Sequence, residues 1–187
     1  MSGLWLASSS PRRRAILRAL GLGFRAVTPG PDLDPAVGPR DPGAYAVANA
    51  RHKAQSAADG IRDGLVIGCD TVVCIGNRVL GKPADAADAR RALKLLSGRA
   101  HRVISGVAVI SRPGGGVRTG VETTLVTFRR LSPGDIDAYL ATGEPFDKAG
   151  GYGIQGWAGR FVTSVRGSYL NVVGLPVARL LELLESG

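Results

Sequence analysis

Cysteine is almost absent from this 187-residue chain, which has only Cys69 and Cys74. They stand five apart in one apolar, strand-like run and so point to opposite faces. They read as small core residues in a reducing compartment, not as a bridge or a metal pair. No His-x-x-x-His or Cys-x-x-Cys spacing occurs, which removes the usual zinc signatures. Aromatics are scarce, with four Phe, four Tyr and two Trp, so a stacking platform for single-stranded nucleic acid has little support. No apolar run reaches the length of a membrane span, and the N-terminus lacks the basic, apolar and small-residue succession of a signal peptide. The default expectation is a cytoplasmic protein with no membrane partner. Acids are also short: 15 Asp and Glu stand against 24 Lys and Arg, a formal charge of +9 with a pI near 10.4. Such a field attracts polyanions or small, highly charged anions. Arginine with abundant Ala and Gly is also what a GC-rich genome produces, and no long basic tract is present.

Hydrophobic content of 44% lets a chain of this length bury a full core as one domain, residues 1–187, without metal or disulfide staples. Residues 4–7 read as a short buried strand, 11–20 as a helix stopped by Gly21, and 24–27 as a second strand. Residues 28–42 hold five prolines and two glycines, an irregular loop too long for a mere connector. Helical spacing over 44–58 puts Ala44, Val47, Ala48, Ala54 and Ala58 on one face. An apolar run over 65–75 is followed by a Gly76-Asn77 turn and a short strand at Val79-Leu80. Residues 84–97 form a helix with Ala89, Ala92, Leu93 and Leu96 on its stripe. A long hairpin spans 101–131 around the Pro113-Gly114-Gly115-Gly116 turn. Ser132-Pro133 starts a helix over 134–142, residues 144–159 have neither helix nor strand period, 161–165 is a strand, and 176–184 is an amphipathic helix. This mixture predicts an α/β or α+β fold with a mixed sheet.

Several stretches carry chemistry. In LASSSPRRRAIL, Ser10 and Pro11 signal a helix start, yet Arg12, Arg13 and Arg14 fill its first turn, where the helix dipole disfavours cations. Each arginine alone reads equally well as surface. Three together beside backbone N–H groups suit a bound phosphate, with Arg12 and Arg13 its ligands and Arg14, rotated further round, as readily plain surface. In GLVIGCDTVVCI, Asp70 stands in an apolar run where an unpaired carboxylate is costly. It either caps a turn or pairs with a buried arginine, or it lines a cleft at a strand end as metal ligand or base. Lys82, in a Gly-Lys-Pro turn before a helix, is either a polar loop residue or a point charge for phosphate, and Lys53 is equally open. EPFDKAGGYGIQG, with Asp147, Lys148, Tyr152 and Gln155 among four glycines, is either a surface turn or a wall that backbone forms against a base. Gly151 to Gly156 spells Gly-x-Gly-x-x-Gly but opens no helix, and Pro83 stands where the P-loop spacing of Gly76 to Lys82 needs Ser or Thr, so both motifs fail on context.

Six ordered motifs, LASSSPRRR, GCDTVV, LGKP, SGRAHRV, FDKAGGYGIQG and GSYLNVVGLP, resemble the Maf family of nucleoside triphosphate pyrophosphatases over nearly the whole chain. The resemblance implies a mixed twisted sheet flanked by helices, with two lobes around a cleft, and usually a homodimer. It also implies hydrolysis of a nucleoside triphosphate to the monophosphate and pyrophosphate with a divalent cation, Mg²⁺ or Mn²⁺, in nucleotide-pool house-cleaning. Carried over by position, Asp70 matches the catalytic acceptor, while Arg12, Thr71 and Gln155 match positions tied to substrate choice. Arg13, Lys53 and Lys82 match basic residues assigned to phosphates. Ser-Pro-Arg-Arg, Asp-Thr and Gly-Ile-Gln-Gly look like the branch acting on dTTP and UTP; the branch acting on methylated GTP has Tyr after Ser-Pro and Gln after the Asp. A Gln amide suits the imide edge of uracil or thymine, accepting from its N–H while donating to a carbonyl.

One position departs from the family pattern. The family often reads Asp-Glu where this chain has Asp34-Pro35, and Pro35 can neither bind metal nor orient water. Asp34, or Asp32 beside it, is the expected substitute at the metal with Asp70. Two other readings stay open. One is a basic nucleic-acid-binding or cell-division regulatory protein without turnover; the other is a pyrophosphatase preferring purine or modified nucleotides.

Overall fold

The computed structural model describes residues 3–34, 38 and 40–185. Seven strands form one mixed sheet in the order β2-β1-β3-β5-β6-β7, with β4 pairing β3. They are β1 (Leu4–Ala7), β2 (Arg25–Val27), β3 (Gly64–Ile75), β4 (Arg78–Leu80), β5 (Ala100–Arg112), β6 (Val117–Phe128) and β7 (Val162–Arg166). The β1/β2 and β1/β3 pairs are parallel, and β3/β4 and β6/β7 are antiparallel. Among the described residues six α-helices accompany the strands: α1 (Pro11–Ala19), α2 (Pro42–Ala58), α3 (Ala86–Leu96), α4 (Pro133–Leu140), α5 (Tyr169–Val173) and α6 (Val177–Glu185). The expected mixed α/β class is therefore what the chain adopts. Among the described residues no helix is long and apolar enough to cross a membrane.

The helix starts follow their local chemistry. Ser10 caps α1 by accepting the Arg13 N–H, and Ser132 and Asp135 close a reciprocal capping box at α4. Gly21 follows α1 at a φ of 71° that a side chain would strain. Helix α2 begins two residues before its apolar pattern, because Asp41 accepts the Ala44 N–H at 2.8 Å and Pro42 fits the first turn. Two sequence expectations need correction. The buried face of α2 is Ala46, Asn49, Ala50, Lys53, Ala54 and Ala58, whereas Ala44 is exposed and Val47 and Ala48 are half-buried. A helix of small alanines has no strong apolar stripe, so tertiary partners choose the face. The second concerns 144–159, which winds into 3-10 turns at Glu144–Asp147, Ala149–Gly151 and Trp157–Phe161. Helix α5 had no sequence signal.

The chain divides into two compact units. The first comprises the described residues through Thr71, 105–122 and those from Gly174 onward. There α2 lies against the sheet over small residues: Ala50, Ala54 and Ala58 pack with Ala7, Val66 and Ala108. A Cβ on Gly68 would lie 2.0 Å from the Ala50 carbonyl oxygen, and one on Gly106 would lie 2.4 Å from that of Ala46. The helix backbone thus rests directly on β3 and β5, which only glycine allows. The second unit, 72–104 and 123–173, has a core in which Leu93 and Leu96 of α3 meet Phe128, Tyr139 and Phe161.

Candidate active site

The parallel register of β1 with β3 ends at the Ala7/Gly68 pair, and β4 joins β3 only at Val73. Asp70 and Thr71 therefore occupy a stretch of β3 that neither strand pairs, just past the carboxyl end of β1, where open parallel sheets bind their ligands. The loop of Ser8, Ser9 and Ser10 leaves β1 at this level and leads into the arginine-rich start of α1. Successive strand residues face opposite sides of a sheet, and the two residues have separate partners.

Asp70 is buried, and each of its carboxylate oxygens has a protein partner. Its Oδ1 lies 2.6 Å from Lys53 Nζ, and its Oδ2 accepts from Asn49 Nδ2 at 3.3 Å. Asn49 and Lys53 sit one turn apart on the buried face of α2, and the close approach of that helix at Gly68 brings both to the carboxylate. Lys53 Nζ also meets Asp32 Oδ1 at 2.5 Å, so one ammonium bridges a buried and a half-exposed carboxylate. Asp32 arrives on the proline-rich loop, which α2 holds in place. Asn49 Oδ1 accepts from Leu33 N at 2.8 Å, Tyr45 Oη donates to Leu33 O at 2.9 Å, and Ser56 Oγ accepts from Gly30 N at 2.8 Å. The Asp34 carbonyl accepts the Gly38 N–H, while Pro35 lies outside the described residues. Asp70 thus stands within a strand and pairs with a lysine, neither at a strand end nor with an arginine.

Thr71 engages the other set. Arg13 donates from Nε to the Gly174 carbonyl at 2.7 Å, from Nη1 to Ser8 Oγ at 3.2 Å and from Nη2 to Thr71 Oγ1 at 3.2 Å. Thr71 Oγ1 also lies 2.9 Å from Ser105 Oγ and 3.4 Å from the Gly174 carbonyl. Arg12 is half-buried in the same turn. Arg14 is not plain surface: its Nη2 donates to the Ser8 carbonyl at 3.1 Å, and it is half-buried. The serine loop is therefore clasped by two arginines, which explains how cations are tolerated where the helix dipole disfavours them. Just before Asp70 and Thr71 in β3, burial pushes the Cys69 thiol up to about 11, against the pull of Arg13 and Lys53, so it is no nucleophile at neutral pH.

Lys82 and Gln155 belong to the second unit, and both are exposed. The turn carrying Lys82 is tied to the glycine-rich segment by a hydrogen bond from Gly150 N to the Gly81 carbonyl at 2.9 Å. Glu144 reaches across that segment, its carboxylate accepting the Trp157 N–H at 3.1 and 3.2 Å. Lys148 Nζ donates to the Glu144 carbonyl at 2.7 Å and pairs with Asp147. Gln155 is consequently presented on an ordered turn rather than on a flexible loop.

Asn49 and Ser105 carry no motif and escape a reading of the sequence alone, while Ser8 and Gly174 lie inside LASSSPRRR and GSYLNVVGLP without standing out there as site residues. Two faint signals exist: Ser105, like Asp70, is a polar residue inside an apolar strand, and Asn49 precedes Lys53 by one helical turn. Among the described residues no group of three or more His, Cys, Asp or Glu gathers as a metal cage. Asp70 and Asp32 nevertheless offer hard oxygen donors around one cationic point. That donor set fits Mg²⁺ or Mn²⁺, which bind through one or two carboxylates plus substrate phosphates.

A protein of Moorella thermoacetica named dTTP/UTP pyrophosphatase is 49% identical over 184 residues, covering 98% of this chain and 94% of its own. A protein of the same name from an Anaeromyxobacter species is 49% identical, covering 97% and 88%. Another from Pelotomaculum thermopropionicum is 46% identical, covering 99% and 96%. The family described as Maf-like protein matches residues 3–187, and this chain belongs to that family.

Proposed function

We propose that this chain hydrolyses nucleoside triphosphates, with dTTP and UTP as substrates, to the monophosphate and pyrophosphate. The observation that carries the reading is Asp70, a carboxylate buried beside Lys53 and Asn49 at the carboxyl end of a parallel strand pair. Relatives of 43–49% identity named dTTP/UTP pyrophosphatase support the bond and the bases.

In this reading Asp70 accepts a proton from the water that attacks the α-phosphorus. Lys53 holds the carboxylate oriented, and moves toward phosphate oxygens as the nucleotide enters. Arg12, Arg13 and Lys82 neutralise the triphosphate and the departing pyrophosphate. The remaining N–H groups of Arg13 are fixed in direction by its three protein acceptors, so the guanidinium meets phosphate without first losing rotamer freedom. Gln155 and Thr71 read the base, and a pairing of this kind discriminates strongly because a wrong base leaves polar groups unpaired. A divalent cation bound at Asp70 and Asp32, with Asp34 next along the same loop, would polarise phosphate oxygens and acidify water. The same reading places the protein in the cytoplasm, among its nucleotides, as a homodimer.

The test is purified protein incubated with UTP, dTTP, CTP, GTP and ITP in Mg²⁺ or Mn²⁺. UTP and dTTP are expected to give pyrophosphate and monophosphate, and Asp70→Asn to lose nearly all turnover. Release of orthophosphate rejects the bond assignment, and preference for GTP or ITP rejects the assignment of the bases.

A further inference from the structure

Ser105 is fully buried in the middle of β5, within the apolar run VISGVAVI. A buried hydroxyl is unfavourable unless it is hydrogen-bonded, and Ala or Val would satisfy the strand pattern equally well. Its oxygen lies 2.9 Å from Thr71 Oγ1, the shortest of the contacts around that hydroxyl. The next residue, Gly106, lies so close to α2 that a Cβ there would stand 2.4 Å from the Ala46 carbonyl oxygen, so the helix backbone rests on β5 beside Ser105.

The proton count around Thr71 gives Ser105 a specific task. A guanidinium only donates and a carbonyl only accepts. Arg13 Nη2 therefore takes one lone pair of Thr71 Oγ1, and the Thr71 proton points either to the Gly174 carbonyl or to Ser105. If it points to Gly174, Ser105 donates and Thr71 is saturated. If it points to Ser105, Thr71 keeps one lone pair for a ligand N–H and has no proton to offer a ligand acceptor. The Gly174 carbonyl loses nothing by this, since it already receives Arg13 Nε at 2.7 Å against 3.4 Å from Thr71.

We propose that Ser105 is a specificity-determining positioning residue: by taking the Thr71 proton, it makes Thr71 an acceptor toward the bound nucleotide. The inference rests on the proposed reading of Thr71 as a residue facing the base. The base it then favours carries a hydrogen on the ring nitrogen of its pairing edge, as uracil and thymine do, over one presenting that ring nitrogen bare, as cytosine does. Removing Ser105 leaves only the 3.4 Å contact with the Gly174 carbonyl to hold the Thr71 proton, which can then turn toward a ligand acceptor, so discrimination falls while the reacting groups stay in place.

The experiment measures kcat and KM for UTP, dTTP and CTP in wild type, Ser105→Ala, Ser105→Thr, Thr71→Ala and the Ser105→Ala/Thr71→Ala pair. Ser105→Ala is expected to lower the UTP-over-CTP ratio of kcat/KM by about tenfold, as loss of one hydrogen bond does, with kcat for UTP within about twofold. Ser105→Thr restores the ratio, and adding Ser105→Ala to Thr71→Ala lowers it no further. An unchanged ratio in Ser105→Ala overturns the inference. So does an equal loss on all three nucleotides that adds fully to that of Thr71→Ala, the mark of packing alone. A wild-type protein that releases no pyrophosphate from UTP or dTTP, or does not prefer them to CTP, overturns the reading of the site beneath it.

Discussion

Asp70 and His101 are both ionisable groups buried in apolar strands, and they meet the cost of burial in opposite ways. Asp70 keeps an ammonium at 2.6 Å, so its charge is offset where it stands. His101, on β5, has a tyrosine instead: its Nε2 lies 2.7 Å from Tyr152 Oη, and Phe128 packs edge-on at 4.9 Å. With no counter-charge, burial pulls the imidazole down from 6.5 to about 4. Between those two values the unfolded chain binds a proton that the folded chain does not. Stability is therefore complete above about pH 6.5 and declines as pH falls toward 4, by about 2–3 kcal/mol for this one group. Urea unfolding at about pH 7.5 and about pH 4.5 is expected to show that loss, and His101→Gln, which keeps a partner for Tyr152 but does not titrate, is expected to remove most of it. An equal decline in the variant would assign the acid sensitivity to other groups. Of the two residues only Asp70 declared itself in the sequence, as an acid among valines. Its lysine was visible yet ambiguous, because the helical period does not say which strand residue faces a helix position.

The same limit appears at the level of whole elements. Boundaries of strands and helices followed well from caps, turn glycines and apolar runs. The face that α2 buries did not, since alanines at seven of its seventeen positions, spread around the helix, leave the choice to what the helix rests on. Gly68 and Gly106 make that choice, and with it bring Asn49 and Lys53 to Asp70. Two glycines with nearly equal clearance make the point testable. A Cβ on Gly68 would stand 2.0 Å from the Ala50 carbonyl oxygen, and one on Gly156 would stand 2.2 Å from Glu144 Oε2. The first obstacle is helix backbone and cannot yield without lifting α2 from the sheet. The second is the tip of a flexible side chain. Gly68→Ala is accordingly expected to cost several kcal/mol and to abolish turnover. Gly156→Ala should cost about 1 kcal/mol, as Glu144 swings aside and releases the Trp157 N–H, with its main kinetic effect on nucleotide selection through the neighbouring Gln155. Thermal melts with UTP and CTP kinetics check both, and equal destabilisation by the two would contradict this division of roles.

Across the whole molecule the surplus of +9 admits two origins, a field that gathers anions or a genome's taste for arginine. The ion pairs help to separate them. Arg129 meets Asp135 through two hydrogen bonds of 2.8 and 2.9 Å, and Arg179 meets Glu182 at 2.8 Å, so part of the acid complement is spent on arginines that carry no proposed role. The exposed Arg179–Glu182 pair stabilises little, and such pairs leave Arg12 and Lys82 within a field that is positive on balance. A triphosphate entering that field gains from charges well beyond contact distance, and salt shortens their reach from about 14 Å at 50 mM to about 4 Å at 500 mM. Raising NaCl between those concentrations, at constant free Mg²⁺, is therefore expected to increase KM for UTP by about fivefold or more and leave kcat within about twofold, because bound substrate is held by contacts that salt screens less. A KM that stays flat would mean that the local contacts do all the work and that the basic composition is background. A rise in KM with steady kcat would mean that the charge legible in the bare composition serves the same substrate as the buried carboxylate on β3.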